Sequence, residues 1–136
     1  MADGGGPDSG RTSDDGSPDL ASLTRHQAVT ESLDCIYELL ASARRRYLLY
    51  YLRTADETVV ELEAAANAIQ AYEAAGTDTG DRPPRRTIEI DLHNVHLPRL
   101  ADAGMCQYDP AQGLIRYEPH PALEELVEHA RHKELE

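Results

Sequence analysis

The sequence contains one short pattern typical of a β-hairpin, with helical segments before and after it. This order of segments limits the fold of the chain more than any other feature. The stretches "MCQY" (residues 105–108) and "LIRY" (residues 114–117) contain alternating or consecutive apolar residues. They lie on either side of "DPAQG". Because aspartate, proline and glycine are turn residues, the two stretches are predicted to form a β-hairpin. Gly104, just before it, is predicted to end a helix.

Helical periodicity predicts four helices before the hairpin and one after it. The first covers Leu33 to Leu40, and the second begins after Ser42 as N-cap in "SARRRYLLYYLR". The third follows a short extended "VV" and ends at Gly76. The fourth runs from about Pro84 to Ala103, and the last is the amphipathic "HPALEELVEHARHKELE".

The 136 residues are enough for one domain of roughly 100 residues with tails. Residues 1–30 are rich in Gly, Ser, Asp and Pro and are predicted to be a disordered acidic and polar tail. A folded domain is predicted over residues 31–118 and a C-terminal amphipathic helix over 119–136. No apolar run is long enough for a membrane span, and the N-terminus lacks a signal-peptide pattern, so a cytoplasmic protein is expected.

The charge balance is strongly acidic. Twenty-five acidic residues oppose 13 basic ones, giving a net charge of −12, and Lys133 is the only lysine beside twelve arginines. This composition resembles the proteomes of salt-loving archaea. Since the Debye length falls to roughly 3 Å at about 1 M salt, an acidic chain at high salt is not excluded from DNA, although its charge does not favour DNA either.

The segments "LLASARRRYLLYYLR" and "HLPRLADAGMCQYDPAQGLIRYE" carry a resemblance to a known group of proteins. They resemble a haloarchaeal family of small winged helix-turn-helix domains of unknown function, and more distantly the winged-helix repressors that sense metals. The resemblance covers about Leu33 to Glu118. It implies a mainly α fold with a small β-hairpin as the wing, flanked by N- and C-terminal helices, and a DNA-binding, transcription-regulator-like role. The connection around Gly76 to Pro84 is longer than the usual turn of the motif.

The fourth helix, which would be the recognition helix, has two apolar stripes. One consists of Ile88, Leu92 and Val95, and burying it would turn Arg86, His93 and Asn94 outward. The other consists of Ile90, His93, Leu97 and Leu100, and burying it would leave Asp91, Leu92 and Val95 outside. We favour the second register, because Leu97 and Leu100 must face the core behind the wing. Pro98 is expected to kink or break this helix.

Duplex DNA is the partner that the resemblance favours. The residues predicted to contact it are Arg44, Arg45, Arg46, Arg85, Arg86, Asn94 and Arg116. Arginines would hold phosphates, and Asn94 could pair with adenine. Arg44 to Arg46 could instead pair with Glu38 and neighbouring carboxylates. The alternative function is a protein-interaction module, a dimerisation or adaptor domain that keeps the fold without binding DNA.

The last helix is also a predicted homodimer interface. Its apolar stripe consists of Leu123, Leu126, Val127 and Ala130.

Other residue types predict structural roles. Cys35 and Cys106 have no CxxC spacing and are expected to be reduced and buried. His93 with His96, and His129 with His132, lack further ligands at recognisable spacing, so neither a metal site nor a cofactor is predicted. Tyr47, Tyr50 and Tyr51 are expected at the edge of the core with their hydroxyls in water. With no catalytic motif in the sequence, we predict no enzyme activity.

Overall fold

The structure, a computed structural model, describes residues 20–135, and within α1 it leaves out the side chains of residues 22–24, 26 and 28–30. The elements follow one another as α1 (Leu20–Leu40), α2 (Ala43–Thr54), β1 (Val59–Glu61), α3 (Leu62–Ala75), α4 (Arg85–Asp91), a π-helical turn (Leu92–His96), α5 (Leu97–Asp102), β2 (Cys106–Asp109), β3 (Leu114–Tyr117) and α6 (Pro121–Leu135). We call α4, the π-helical turn and α5 together the composite helix. The fold is mainly helical with a small antiparallel sheet, which agrees with the predicted winged-helix-like class.

The first helix begins earlier than the sequence predicted. It starts at Leu20 and not near Leu33, so residues 20–30 of the predicted disordered tail are helical. The segment from Leu20 to Leu40 contains no glycine or proline and many good helix formers, which explains the extension. Residues 1–19 of the predicted tail lie outside the described part of the chain.

The chain divides after Cys35 into two units, and α1 crosses the boundary. The described part of the first unit consists of α1 residues. The thiol of Cys35 is exposed and free, contrary to the prediction that it is buried, whereas Cys106 in the second unit is buried as predicted. The second unit, residues 36–136, holds the hydrophobic core.

The second helix begins as the sequence predicted. The hydroxyl of Ser42 accepts a hydrogen bond from the backbone N–H of Arg45 at 3.3 Å, which caps the N-terminus. Its leucine stripe is buried, as predicted, at Leu48, Leu49 and Leu52. The prediction for Tyr50 was wrong, because its side chain is fully buried and its hydroxyl donates to Glu134 at 2.8 Å. Burial of the ring is compatible with the hydroxyl because that carboxylate satisfies it.

The sheet has three strands in the order β1-β3-β2, all antiparallel. The hairpin of β2 and β3 was predicted, but the pairing of the short "VV" strand with β3 was not. Val60 faces Ile115 across the sheet, and both are buried. The turn forms as its residues predict: the Asp109 carboxylate accepts from the backbone N–H groups of residues 111 and 112, and Gly113 adopts a left-handed φ of 66°.

A glycine cap joins the composite helix to the sheet. Gly104 has a φ of 77°, its N–H donates to the carbonyl of Ala101, and the N–H of Met105 donates to the carbonyl of Leu100. This is the hydrogen-bond pattern of the Schellman motif, and the accompanying apolar pair, Leu100 and Met105, is buried. The predicted end of the fourth helix at Gly104 is therefore confirmed, and the cap holds β2 close to the composite helix.

Candidate nucleic-acid interface

The composite helix changes its hydrogen-bond pattern in front of Pro98. In the π-helical turn, the backbone N–H of Leu97 donates to the carbonyl of Leu92, five residues earlier. A proline has no N–H to donate, and in an α-helix its ring clashes with the carbonyl four residues earlier, here that of Asn94. A wider turn accommodates both effects, so the structure has a π-helical turn where we predicted a kink or break.

This turn decides which face of the composite helix is buried. The fully buried residues are Ile88, Leu92, Leu97 and Leu100. Their spacing of four, five and three includes one more residue than a regular helix would allow on one face. The first predicted stripe therefore holds before the π-helical turn, and the second holds after it.

The register that we favoured from the sequence was wrong in its first half. Leu92 is buried, whereas Ile90 is 48% exposed and His93 is also exposed. The expectation that Leu97 and Leu100 face the core was confirmed. A helix with a uniform period of 3.6 residues can bury only one of the two stripes. The extra residue of the π-helical turn allows the first half of one stripe and the second half of the other to be buried on the same face.

The outward face of the composite helix is consequently polar and partly basic. Arg86, Ile90, His93 and Asn94 line a surface hollow of about 220 Å³, together with Leu62 and Glu89. Arg86 and Asn94 each lie four residues from Ile90, one helical turn to either side of it. These are the residues that the first register would turn outward, with Ile90 added.

Asp91 does not line this hollow, and its half-buried carboxylate is paired within the chain. Its carboxylate accepts hydrogen bonds from Arg44 at 3.0 Å and from the Nε2 of His96 at 2.8 Å. The Arg45 guanidinium faces the Nδ1 of His96 at 3.5 Å. Since a guanidinium can only donate, Nδ1 accepts and Nε2 carries the hydrogen that it donates to Asp91. Asp91 is therefore not an unpaired acid.

Burial and neighbouring charges set the protonation of this pair. Burial lowers the pKa of His96, the cations Arg45 and Arg44 lower it further, and Asp91 opposes them without reversing the shift. Burial disfavours the charged form of Asp91, but the hydrogen bonds and charges of His96 and Arg44 outweigh it, so the pKa of Asp91 lies below its usual range. His96 is thus held neutral and Asp91 ionised at neutral pH.

The cluster Arg44 to Arg46 is engaged inside the chain. Arg44 forms two hydrogen bonds to Glu73, at 2.6 and 2.8 Å, besides its bond to Asp91. Arg45 is only 6% exposed and donates to the carbonyls of residues 38 and 39 at the end of α1, at 2.9 and 2.8 Å. Arg46 donates to Glu134 and to the carbonyl of residue 40. Their predicted contact with phosphates stays a prediction, and it would require these bonds to be exchanged.

The other predicted DNA-contacting residues differ in whether their side chains already have partners within the chain. Arg85 pairs with Glu89 at 3.0 Å and with Glu63 at 3.3 Å. Arg86, Asn94 and Arg116 are exposed, and none of the three has an ion pair or side-chain hydrogen bond within residues 20–135. These three are therefore the predicted residues that a ligand can reach without displacing an internal partner.

Tyr108 links the composite helix to the hairpin. Its hydroxyl lies 2.8 Å from the Nδ1 of His93, and the two rings meet edge to face. On its other side, Tyr108 lines a second hollow of about 270 Å³ with Gln107, Arg116 and other hairpin residues. We call the surface formed by Arg86, Ile90, His93, Asn94, Tyr108 and Arg116 the outer surface. It joins the middle of the composite helix to the predicted wing.

The histidines of the composite helix do not converge on one point. His93 is exposed beside Tyr108, whereas His96 is buried beside Asp91. In the described part of the chain, no group of three or more His, Cys, Asp or Glu side chains is placed to hold a metal ion.

The four residues predicted for a dimer interface lie on the core side of α6. Leu123 and Val127 are fully buried within the chain, and Leu126 and Ala130 are partly buried against its core. Glu124 and Glu128 anchor the helix further by accepting from Arg53 of α2 at 3.2 and 2.6 Å. The stripe is therefore covered by the chain's own residues and is not available to a second copy in this arrangement.

The sequence reasoning missed two residues of the outer surface, Ile90 and Tyr108. Ile90 had been assigned to the core. The available signal was the spacing of Ile88, Leu92 and Leu97 directly before a proline, which suggests an inserted residue. Tyr108 carries no local signal, because its contact with His93 joins residues 15 positions apart.

Comparisons with known proteins give a family and no further relatives. The profile of a family described as "Domain of unknown function (DUF7344)" matches residues 37–116, from the end of α1 to β3. No curated protein and no solved structure matches the chain. Within residues 20–135, no helix is both long and apolar enough to cross a membrane.

Proposed function

The chain belongs to the DUF7344 family, whose function is unknown, and we propose that it binds duplex DNA through the outer surface and acts as a transcription-regulator-like domain. The observation that carries the proposal is the direction of side chains on the composite helix. Arg86, His93 and Asn94 are exposed, while the carboxylate of Asp91 is bonded to Arg44 and His96 within the chain. An unpaired aspartate on a DNA-facing helix would repel phosphates, and the bonds of Asp91 to Arg44 and His96 weaken this objection to DNA binding.

The outer surface carries groups that suit both parts of a DNA duplex. An α-helix fits the major groove, where the amide of Asn94 can pair with N6 and N7 of adenine. Arg86, one turn before Ile90, can hold a guanine or a phosphate. Arg116 on the hairpin is exposed and can reach the sugar-phosphate backbone, as a wing does. The composite helix would thus read the bases, and the hairpin would position the domain on the DNA backbone.

The charge of the whole chain sets the conditions for binding. A net charge of −12 repels DNA at low salt, and screening at about 1 M salt removes most of this repulsion. High salt also weakens the attraction between arginine and phosphate. We therefore propose a protein of a salt-rich cytoplasm, in which hydrogen bonds and shape supply most of the affinity. We also propose that the chain has no catalytic activity.

The proposal is tested by selecting sites from a random duplex library at about 1 M KCl and measuring affinity by fluorescence anisotropy. Asn94→Ala is expected to weaken binding to the selected site by about tenfold and to relax preference at one base pair. Arg86→Glu should weaken binding to every duplex. Lys133→Glu makes the same change of charge on α6, which contributes no residue to the outer surface, and should leave affinity nearly unchanged. Failure to select any site, or equal effects of all three changes, would refute the proposal.

A second candidate is a protein-interaction module. It is favoured by the exposure of large apolar side chains: Ile90 on the outer surface at 48%, Val59 beside Tyr108 and Arg116 at 36%, and Val95 elsewhere on the composite helix at 41%. Such residues are common at protein interfaces. A homodimer is one form of this candidate, although the α6 stripe does not provide its interface here. Sedimentation velocity of the chain at high salt, with Ile90→Glu as the variant, tests it: a dimer that dissociates in the variant supports this reading over DNA binding.

A further inference from the structure

Ile90 occupies an unusual position for a large apolar residue. It is 48% exposed in the hollow of the composite helix, although the same helix buries four other aliphatic side chains completely. Leu62, from the start of α3, lies in the same hollow and is half-buried. The hollow therefore presents an apolar spot of two aliphatic side chains that the chain itself leaves open.

Polar groups flank this apolar spot on both sides. Arg86 lies one turn before Ile90, and Asn94 lies one turn after it. Among residues 20–135, Arg86 has no ion-pair partner and the amide of Asn94 has no side-chain hydrogen bond. The side chain of Glu89, the acid in the hollow, is only 17% exposed and is paired with Arg85. The hollow thus suits a ligand that combines negative charge, hydrogen-bonding edges and a small apolar group.

The major groove of DNA offers this combination. Its small apolar group is the C5-methyl of thymine, and its hydrogen-bonding edges include N6 and N7 of adenine. A hydrophobic segment of a partner protein would match the apolar spot but would leave Arg86 and Asn94 without partners, which costs free energy on burial. Charge complementarity at Arg86 therefore favours the nucleic acid as occupant.

Resting on the proposed function, we infer that Ile90 is a specificity-determining residue that contacts the C5-methyl group of a thymine next to an adenine bound by Asn94. The contact is made without a hydrogen bond, so it depends little on salt. It accordingly supplies selectivity under conditions in which arginine contacts lose strength.

Replacing thymine by deoxyuridine tests the contact, because it deletes the methyl group and leaves base pairing unchanged. The duplex selected from the random library is prepared with each thymine replaced in turn. One replacement is expected to weaken binding about fourfold, the value for losing one buried methyl-sized group. Ile90→Ala should bind the thymine duplex more weakly and show no difference between thymine and deoxyuridine at that position.

Val95→Ala is the matched control, since Val95 is a similarly exposed aliphatic residue of the composite helix that does not line the hollow. It should keep the full preference for thymine. Thermal melting of both variants checks that the fold is retained. Equal binding of every deoxyuridine duplex, a selected site without thymine, or unchanged thymine preference in Ile90→Ala would overturn the inference while DNA binding stands. If no duplex is selected at all, the inference falls together with the proposed function.

Discussion

Acidification should destabilise this protein through His96, and the size of the effect follows from its surroundings. The imidazole is buried, donates to Asp91 and faces the guanidinium of Arg45, while Arg44 lies on the other side of Asp91. Because burial and the charges of Arg45 and Arg44 lower the pKa of His96 in the folded state by more than Asp91 raises it, the unfolded chain binds more protons once the pH falls below the ordinary value of about 6.5. Stability is therefore fully present above that pH and is lost as the pH falls towards the folded-state pKa.

The magnitude is bounded by linkage. One proton gained only on unfolding changes the free energy of unfolding by about 1.4 kcal/mol per pH unit, so His96 can remove at most about 1.4 kcal/mol between about pH 8 and about pH 5.5. Glutamine has a similar size and can also donate to Asp91 while accepting from Arg45, yet it does not titrate. His96→Gln should therefore lose less stability than the wild-type chain over this interval.

Urea denaturation at the two pH values, at constant salt, measures the effect. His129→Gln is the matched control, because it removes an exposed histidine on α6. The control should keep the pH dependence of the wild-type chain. If His96→Gln loses as much stability on acidification as the wild-type chain does, the burial of a neutral His96 is not the source of acid sensitivity and the reasoning is refuted.

Three further changes test how the fold is held. Arg45→Met should lower the free energy of unfolding in urea by about 2–3 kcal/mol, because two carbonyls at the end of α1 lose a charged donor. Gly104→Ala should cost about 1–2 kcal/mol by the same measurement. The added Cβ would meet no atom within 4 Å, so this cost comes from the φ of 77° alone. Leu123→Ala should cost about 2–5 kcal/mol as a cavity in the core, with a smaller cost for Leu126→Ala, since Leu126 is only partly buried.

Each of these three has an outcome that would contradict it. An Arg45→Met chain of normal stability that binds DNA weakly would return Arg45 to the phosphate contact predicted from the sequence. A Gly104→Ala chain as stable as the wild type would mean that the helix end changes its conformation freely. A Leu123→Ala chain with normal stability but altered sedimentation would restore α6 as the predicted dimer interface.

Features that depend on neighbouring residues could be read from the sequence. The cap at Ser42, the glycine end of the composite helix at Gly104 and the turn between β2 and β3 were all predicted, because each is decided by side chains and backbone angles within a few positions. The apolar stripes of α2 and α6 were also predicted, since each keeps one helical period.

Only the tertiary structure decided which side of the composite helix faces out. The core, built from distant segments, buries Ile88 and Leu92 before the π-helical turn and Leu97 and Leu100 after it. The π-helical turn before Pro98 places both pairs on the same face of the composite helix. The partners of Asp91 likewise come from positions far along the chain, as does the partner of the buried Tyr50 hydroxyl. Local periodicity determines that a helix forms, but the shape of the packed core determines its register and the charges it leaves to solvent.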